Sequence, residues 1–593
     1  MKRRTFLACL PLFSAGCFLK DFTTVARPQL DEPEPSASSV KVIGDMSADW
    51  DNAAEMVVSG YGLVTGLNGT GGVTPPCEAR TTILERLRRA KIENPADVLD
   101  SPDSAVVIVS AIVKPGIRRD EVIDVEVSLP YGSKVKSLRG GILQPTPLIT
   151  FASQSEVREH VQANGMNTFS EGNRLLKGQE VALAAGPIQS SLVKKPDDPP
   201  AEQGMKRGYV WKGARMLEGR AMYLVLRPEH QRFRVAEQVA IRINESFHAG
   251  DSAATKVASA RHKDLVAVAV PPRYRLNRPH YMRVVWAVPM STPSDMESYI
   301  REWEEKLNNP ETAQIAAIRF EALGAAGIPP LKGALTSSYP LVRFAAAEAL
   351  AYLGNTAGAD ELQKSAIEHP ALQAYALTAL AALDDALGMS KLEELLTHKK
   401  PELRYGAFRA YREIDPTSDL VRGQRCKHAF MLHEVVVPGP SMIHLLREGR
   451  SEVVLFGEAP KLVPPFSLMS GNITVTARKD DEVATISAFS AQSAGSPNHV
   501  QCSLNIAEVM RQLAAFGATY ADAAEILQKA DDRKALSCPL VFDALPKAVA
   551  VKRLAEAARQ DPHMEQETDL LREVDAASTP GLFTRAEQPA RRE

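Results

Sequence analysis

The spacing of hydrophobic and polar positions changes several times along this chain, and the changes mark its blocks. Apolar residues from Met56 lead into Gly60-Tyr61-Gly62-Leu63-Val64-Thr65-Gly66-Leu67-Asn68-Gly69-Thr70-Gly71-Gly72, which reads as a strand followed by a glycine-dense loop. Ala79 to Leu87 sets Ile83, Leu84 and Leu87 on one side of an amphipathic helix. Ala105 to Val113 is a nearly unbroken apolar run, a buried strand ended by Lys114-Pro115-Gly116, whereas Val122 to Leu129 alternates with period two and reads as half-exposed. Helical spacing returns at Phe233 to Phe247, with Ala236, Val239, Ala240 and Ile243 inward, and Leu265 to Val270 is a strand stopped by Pro271-Pro272. The block 50–290 is therefore mixed strand and helix.

Residues 297–423 are Ala- and Leu-rich and repeat. Pro310, Pro340, Pro370 and Pro401 recur at intervals of 30, 30 and 31. Six residues after each stands Ala316, Ala346, Ala376 or Ala407, and thirteen after it Leu323, Leu353, Leu383 or Ile414. Proline suits the first turn of a helix, the small residue allows close helix approach, and second helices follow, as at Ala359 to Ile367 and Met389 to Leu396. Units of this kind bury their faces by stacking, so the spacing predicts an all-α, HEAT-like solenoid of about four units. Residues 425–545 return to strands (Glu434 to Val437, Val453 to Phe456, Gly471 to Ala477). They close with a helical hairpin, Asn505 to Phe516 and Ala521 to Lys529, around Gly517-Ala518-Thr519. The fold class expected is α+β interrupted by the solenoid, with 546–593 a charged, partly disordered tail.

The chain has 593 residues, 45% hydrophobic and 24% charged, with 70 Lys+Arg against 72 Asp+Glu. That balance argues against nucleic-acid binding through a basic surface, and the absence of an 18-residue apolar run past residue 20 argues against a polytopic membrane protein. Residues 1–17 form an export signal: Lys2-Arg3-Arg4, an apolar stretch to Ala15, then Gly16-Cys17. Arg3 and Arg4 fit a twin-arginine address. Ser14-Ala15-Gly16-Cys17 is similar to a lipobox with Ser14 in place of a large aliphatic residue, which makes Cys17 a lipidation candidate; the alternative is plain cleavage nearby. A Pro/Ser/acid-rich tether, 18–49, follows, with order beginning near Val40. Six cysteines occur, two of them in the signal, and no Cys-x-x-Cys.

Candidate chemistry is sparse. The glycine segment lacks the helix that a dinucleotide fingerprint opens and the Lys-Ser/Thr of a phosphate loop. Gly250-Asp251-Ser252 reads as a cap turn, Asp384-Asp385 and Asp480-Asp481 as turns, and Cys426, His428 and His433 match no zinc spacing. No catalytic residue, cofactor or metal is expected, and an enzyme is not.

Several of these segments, in this order, resemble the bacterial flagellar P-ring protein family. They are Gly60 to Gly71, Ala79-Arg80-Thr81-Thr82, Pro115-Gly116, Ile123 to Ser128, Lys136 to Leu148 with Leu138-Arg139-Gly140-Gly141, Val181 to Ile188, much of 223–285, and Leu504-Asn505 with Leu513 to Thr519. The resemblance implies a non-enzymatic subunit of a homo-oligomeric ring around the flagellar rod in the periplasm. Other basal-body ring proteins would be neighbours, and Gly60, Gly62, Gly66, Gly69 and Gly71 would serve as a packing or assembly loop. The solenoid, the stretch 151–178 and the lipobox depart from the family pattern. Of the cysteine pair many members carry, only Cys538 has an obvious counterpart. A second reading is a scaffold, lipid-anchored in the envelope, whose solenoid binds a protein partner.

Overall fold

The computed structural model describes residues 40–52, 55–152, 176–189, 206–247, 256–291, 295–427, 429–447, 450–488, 498–564, 570–572 and 579–583. Arg3, Arg4, Cys17, Gly250-Asp251-Ser252 and His428 lie outside them. The molecule is mixed α+β, as its periodicities imply.

Order begins before residue 50. Helix α1 (Ile43–Met46) and strand β1 (Ser47–Asp51) belong to the first domain, with Ile43 and Trp50 in its core, so the end of the expected tether is folded. β1 pairs in an antiparallel sheet of order β1-β8-β10-β9, with β8 (Met222–Leu226), β9 (Ala258–Ala260) and β10 (Leu265–Val268). Helices α4 (Phe233–Ser246) and α5 (Arg278–Ala287) supply the rest of that core. Between β1 and β8 the chain makes a closed six-stranded antiparallel barrel of order β2-β3-β4-β7-β6-β5. Its strands are β2 (Met56–Thr65), β3 (Ser104–Val113), β4 (Val122–Ser128), β5 (Ile142–Ala152), β6 (Leu176–Pro187) and β7 (Arg207–Met216). β3 reads as continuously apolar because both its faces are covered. Val107, Val109, Ala111 and Val113 fill the barrel, while Val106 packs outside with Ile83 of α2 (Glu78–Arg89) and Leu99 of α3 (Pro95–Asp100).

The helical block starts with α6 (Met296–Leu307). Three pairs follow: α7 (Ala313–Ala322) with α8 (Ile328–Ala334), α9 (Pro340–Tyr352) with α10 (Ala359–Glu368), and α11 (Gln373–Leu383) with α12 (Ala386–Leu396); α13 (Pro401–Ile414) ends the row. Helices α7, α9, α11 and α13 touch in succession, and α12 touches α10, so the block is two rows of stacked helices. Ala316, Ala346, Ala376 and Ala407 are all fully buried, at the points where those neighbours meet. Pro340 and Pro401 open their helices as expected, but Pro310 and Pro370 stand three residues before theirs, in a preceding turn. A fourth pair does not form. After α13 the chain passes into sheet, and Val435, Val437 and Phe456 close the end of the stack.

The C-terminal region has a mixed sheet of order β11-β12-β14-β13-β19: β11 (Gln424–Cys426), β12 (Phe430–Val435), β13 (Met442–Leu445), β14 (Glu452–Phe456) and β19 (Leu540–Phe542). Beside it lies an antiparallel sheet of β15 (Phe466–Ser470), β16 (Ile473–Ala477), β17 (Val483–Ala488) and β18 (Asn498–Ser503). α14 (Ile506–Ala515) and α15 (Tyr520–Asp532) share one core with both sheets. Their turn has the predicted chemistry: Gly517 is left-handed at φ 86°, and Thr519 and Asp522 form a reciprocal capping box.

The tail opens on a helix, and the part expected to be loose lies largely outside the described residues. The tail's described residues form a strap across the stack, running from the last unit back to the first. Pro546 lies against Gly406, the Tyr375 hydroxyl donates to the Val549 carbonyl (2.8 Å), and α16 (Val551–Gln560) carries Arg559 to Glu311 (3.0 Å). His563 packs on Tyr339, and Leu582 and Phe583 are buried. The helix of the strap is amphipathic, with Leu554 and Ala558 buried.

Candidate functional site

The glycine segment divides in two. Gly60 and Gly62 lie within β2, not in a loop. A Cβ on Gly62 would sit 2.8–2.9 Å from Leu143, Thr146 and Val109, and one on Gly60 would run into the Pro147 carbonyl. They stand where β2 crosses β5 to close the barrel, at the break in register between Ser59 and Val64. The loop proper holds Gly66 and Gly69, left-handed at φ 80° and 87° with open space around them. Gly71 is pressed against the backbone at Pro102 and Ser104. Thr70 pins the loop by donating to the carbonyls of Leu67 (2.8 Å) and Ser137 (3.0 Å).

A second feature joins segments 380 residues apart. Arg139, in the loop before β5, donates from Nε to the Thr519 hydroxyl (3.2 Å) and pairs with the Asp522 carboxylate. Asp522 also accepts from Thr519 N (2.8 Å) and from the Ser470 hydroxyl (2.8 Å). Burial raises the Asp522 carboxyl, but Arg139 and the Thr519 cap outweigh it and hold it below the usual range. The two sequence segments carrying Arg139 and Thr519 are thus in contact, and the helical block is looped out between them.

The stack is fastened at both ends by buried charge. At the C-terminal end, Glu452 accepts from the Tyr405 hydroxyl (2.6 Å) and from Arg412 (2.8 Å), with His433 at 3.8 Å. Burial would push this carboxyl up, yet Arg412, His433 and Arg450 hold it at about 2. His444 stacks on Tyr405 at 3.7 Å between ring centres, and burial drives its imidazole down to about 3. At the N-terminal end, His280 of α5 bonds Glu321 of α7 (2.8 Å) and faces Glu348 of α9 at 4.0 Å. Tyr274 donates to the other Glu321 oxygen (2.6 Å).

These groups are arranged as joints. Cys426 and His433 do not converge on a metal: His433 Nδ1 is bonded to the Val421 carbonyl (2.8 Å), and among the described residues no three metal-ligating side chains cluster. Cys77, Cys426, Cys502 and Cys538 are free thiols. Asp385 caps α12 and Asp480-Asp481 is a turn. Sequence reading missed Glu321, Glu348 and Glu452, although the first two are lone acids in apolar runs, as in Arg343-Phe344-Ala345-Ala346-Ala347-Glu348-Ala349-Leu350. A buried charge needs a partner, and that need was the available signal.

A barrel, layered sheets and a helical stack are thus joined to one another by ion pairs and hydrogen bonds. The flagellar P-ring protein family model matches residues 43–300, which span the barrel and the sheet domain around it. Over these residues the chain is similar to the flagellar P-ring protein family. A flagellar P-ring protein of Geobacter sulfurreducens is 28% identical over 234 residues, 38% of this chain and 55% of the relative. One from Rhodospirillum rubrum is 37% identical over 155 residues (26% and 37%), and one from Wolinella succinogenes 38% over 112 residues (19% and 30%). The chain thus spans about half, or less, of the length of these curated relatives.

Proposed function

We propose that this chain is a non-enzymatic structural subunit of a flagellar P ring, closing with copies of itself into a ring around the rod in the periplasm. The observation that carries the reading is the family match over 43–300. The contact of Arg139 with Thr519 and Asp522 supports extending it to the C-terminal hairpin, because that contact unites the two family-like segments in one body. In this reading the rod and neighbouring basal-body rings are the partners, and ring contacts are heterologous and head-to-tail. The HEAT-like stack is an addition on the ring's rim, and an acylated Cys17 would hold the subunit at the outer membrane. The rival reading, a scaffold recruiting a protein through the stack, loses ground because the strap already occupies that surface from Gly406 back to Glu311.

Mass spectrometry of isolated hook–basal bodies tests the reading. This chain should appear at the abundance of rod and hook proteins; its absence there, with presence in the envelope membrane fraction, overturns a flagellar role. Gly66→Glu tests the loop. Gly66 has open space around it, so the variant should fold while its rings fail to close; normal rings would remove the loop from the assembly surface.

A further inference from the structure

The barrel ends in an apolar tip that no described residue covers. In the loop between β4 and β5, Ser133 N donates to the Pro130 carbonyl (3.2 Å), and Gly132 is left-handed at φ 76°. A four-residue turn of this kind holds its second residue, Tyr131, out in solvent, where it is fully exposed. The turn is stiff. A Cβ on Gly132 would sit 3.2 Å from the Pro75 ring. Lys134 N and Lys136 N donate to the carbonyls of Val73 (3.0 Å) and Thr70 (2.9 Å), and Val135 between them is buried. The side chains of Val73, Lys134 and Lys136 are exposed on the same pair of loops. Lysine sets the charge there, because Asp103 is bonded to Gly69 N (2.9 Å) and Arg139 is turned to Asp522. A tyrosine on a rigid turn loses little freedom when a partner buries it, which is why the residue recurs at interface hot spots.

The stack carries the complementary surface. From Ala359 to Thr397 it has seven acids against two lysines, although the whole chain is nearly balanced. Local pairing removes part of that excess. Lys391 meets Asp360 (2.8 Å), Lys364 meets Glu368 (4.0 Å), and Arg343 meets Glu361 (2.8 Å). The surplus therefore falls on α12 and the turn before it, where Asp384, Glu393 and Glu394 are exposed. Leu387, the second residue of α12, is 39% exposed and shares a helix face with Glu394, seven residues on. An apolar residue among carboxylates fits a tyrosine flanked by lysines. The strap bonds Tyr375 of α11 and packs on Gly406 of α13, and it leaves this face of α12 open.

We propose that the Tyr131 tip of one copy seats against the outer face of α12 in the next copy. The inference rests on the ring reading, in which copies meet head to tail. Both halves of the contact are present in one chain, yet the full exposure of Tyr131 means that they do not meet within a single copy. Two unlike surfaces that match each other join copies in series, and such a series closes into a ring when the rotation between copies divides a full turn. Apolar contact at Tyr131 and Leu387 supplies the anchor, and the lysines and carboxylates set the register and reject wrong orientations. The stack is then the receptacle that ties each barrel to its neighbour.

Photo-cross-linking in the native cell tests it, with a benzophenone amino acid in place of Tyr131 in the full chain. The expected product is a covalent dimer that joins 130–134 of one copy to 384–396 of another. Lys134→Glu with Lys136→Glu should lower the yield of that dimer by about tenfold, and adding Glu393→Lys with Glu394→Lys should restore it. These side chains are exposed, so the variants should fold, which their melting temperatures check. Cross-links to other proteins alone, or none, overturn the contact, as does a yield indifferent to the charge reversals. If the reversed chain melts below the wild type, the cross-linked peptides of the otherwise unaltered chain decide alone. Mass spectrometry of hook–basal bodies from the same cells reads the ring separately. A chain present there without the cross-link to α12 loses this contact and keeps the ring reading. Absence from basal bodies ends the ring reading, and the cross-link still decides whether the two faces meet.

Discussion

At the scale of single residues, the glycines show how one motif can hold two kinds of constraint. Gly62 is fixed by space: a methyl group there meets Leu143, Thr146 and Val109, so Gly62→Ala should destabilise the barrel by about 1–3 kcal/mol. Gly66 is fixed by conformation alone, and Gly66→Ala should cost roughly 1–2 kcal/mol for the left-handed backbone. Urea midpoints of the two variants, with aromatic fluorescence of the folded baseline, separate the cases, since only the first should perturb packing. Both positions were visible in the sequence as glycine, but which constraint acted was not, because β5 is remote in sequence and meets β2 only when the barrel closes. Glu452 gives the pH dependence. Its folded carboxyl titrates near 2, below the ordinary 4.5, so its contribution is present above about pH 5 and is lost as pH falls towards 2. That contribution is about 3 kcal/mol by the same difference. Glu452→Gln should abolish this part of the acid profile of unfolding while leaving the half-buried Arg412 beside a neutral group; an unchanged acid limb would remove Glu452 from the joint.

At the scale of elements, local rules served well where neighbours in sequence are neighbours in space. The α14–α15 turn, the period-two strand β4 and the buried alanines at thirty-residue intervals all follow from short-range patterns. The rules failed where a distant element took over. The second helix of the fourth unit is missing because the C-terminal sheet fills its place. The Arg139 contact belongs here too. Arg139→Ala strips the buried Asp522 of its ion partner but leaves the Thr519 cap, so we expect a loss of about 1.5–3 kcal/mol. Exchange protection at the start of α15 should drop with it; protection equal to wild type would show that the cap alone orients the helix.

At the scale of the whole molecule, the helical stack is not an appendage. The core of the first sheet domain includes Ala322, Tyr352 and Ala382, and the stack's largest core includes Val435, Val454 and Phe456 from the C-terminal sheet. Shared cores predict one calorimetric transition spanning the stack and both neighbours, and an independently melting stack would contradict that. The thirty-residue spacing was legible, but the packing of these helices into the flanking domains was not, because periodicity reports what faces inward and not against what. The same architecture sets an order of events in folding. Arg139 and Thr519 close a loop of 380 residues, and a flexible chain of that length meets end to end slowly. The helices within the loop make mostly near-neighbour contacts, so they form early and shorten the distance still to be searched. The helical stack should thus shorten the search for the joint that spans it, a folding accelerator laid between its two halves.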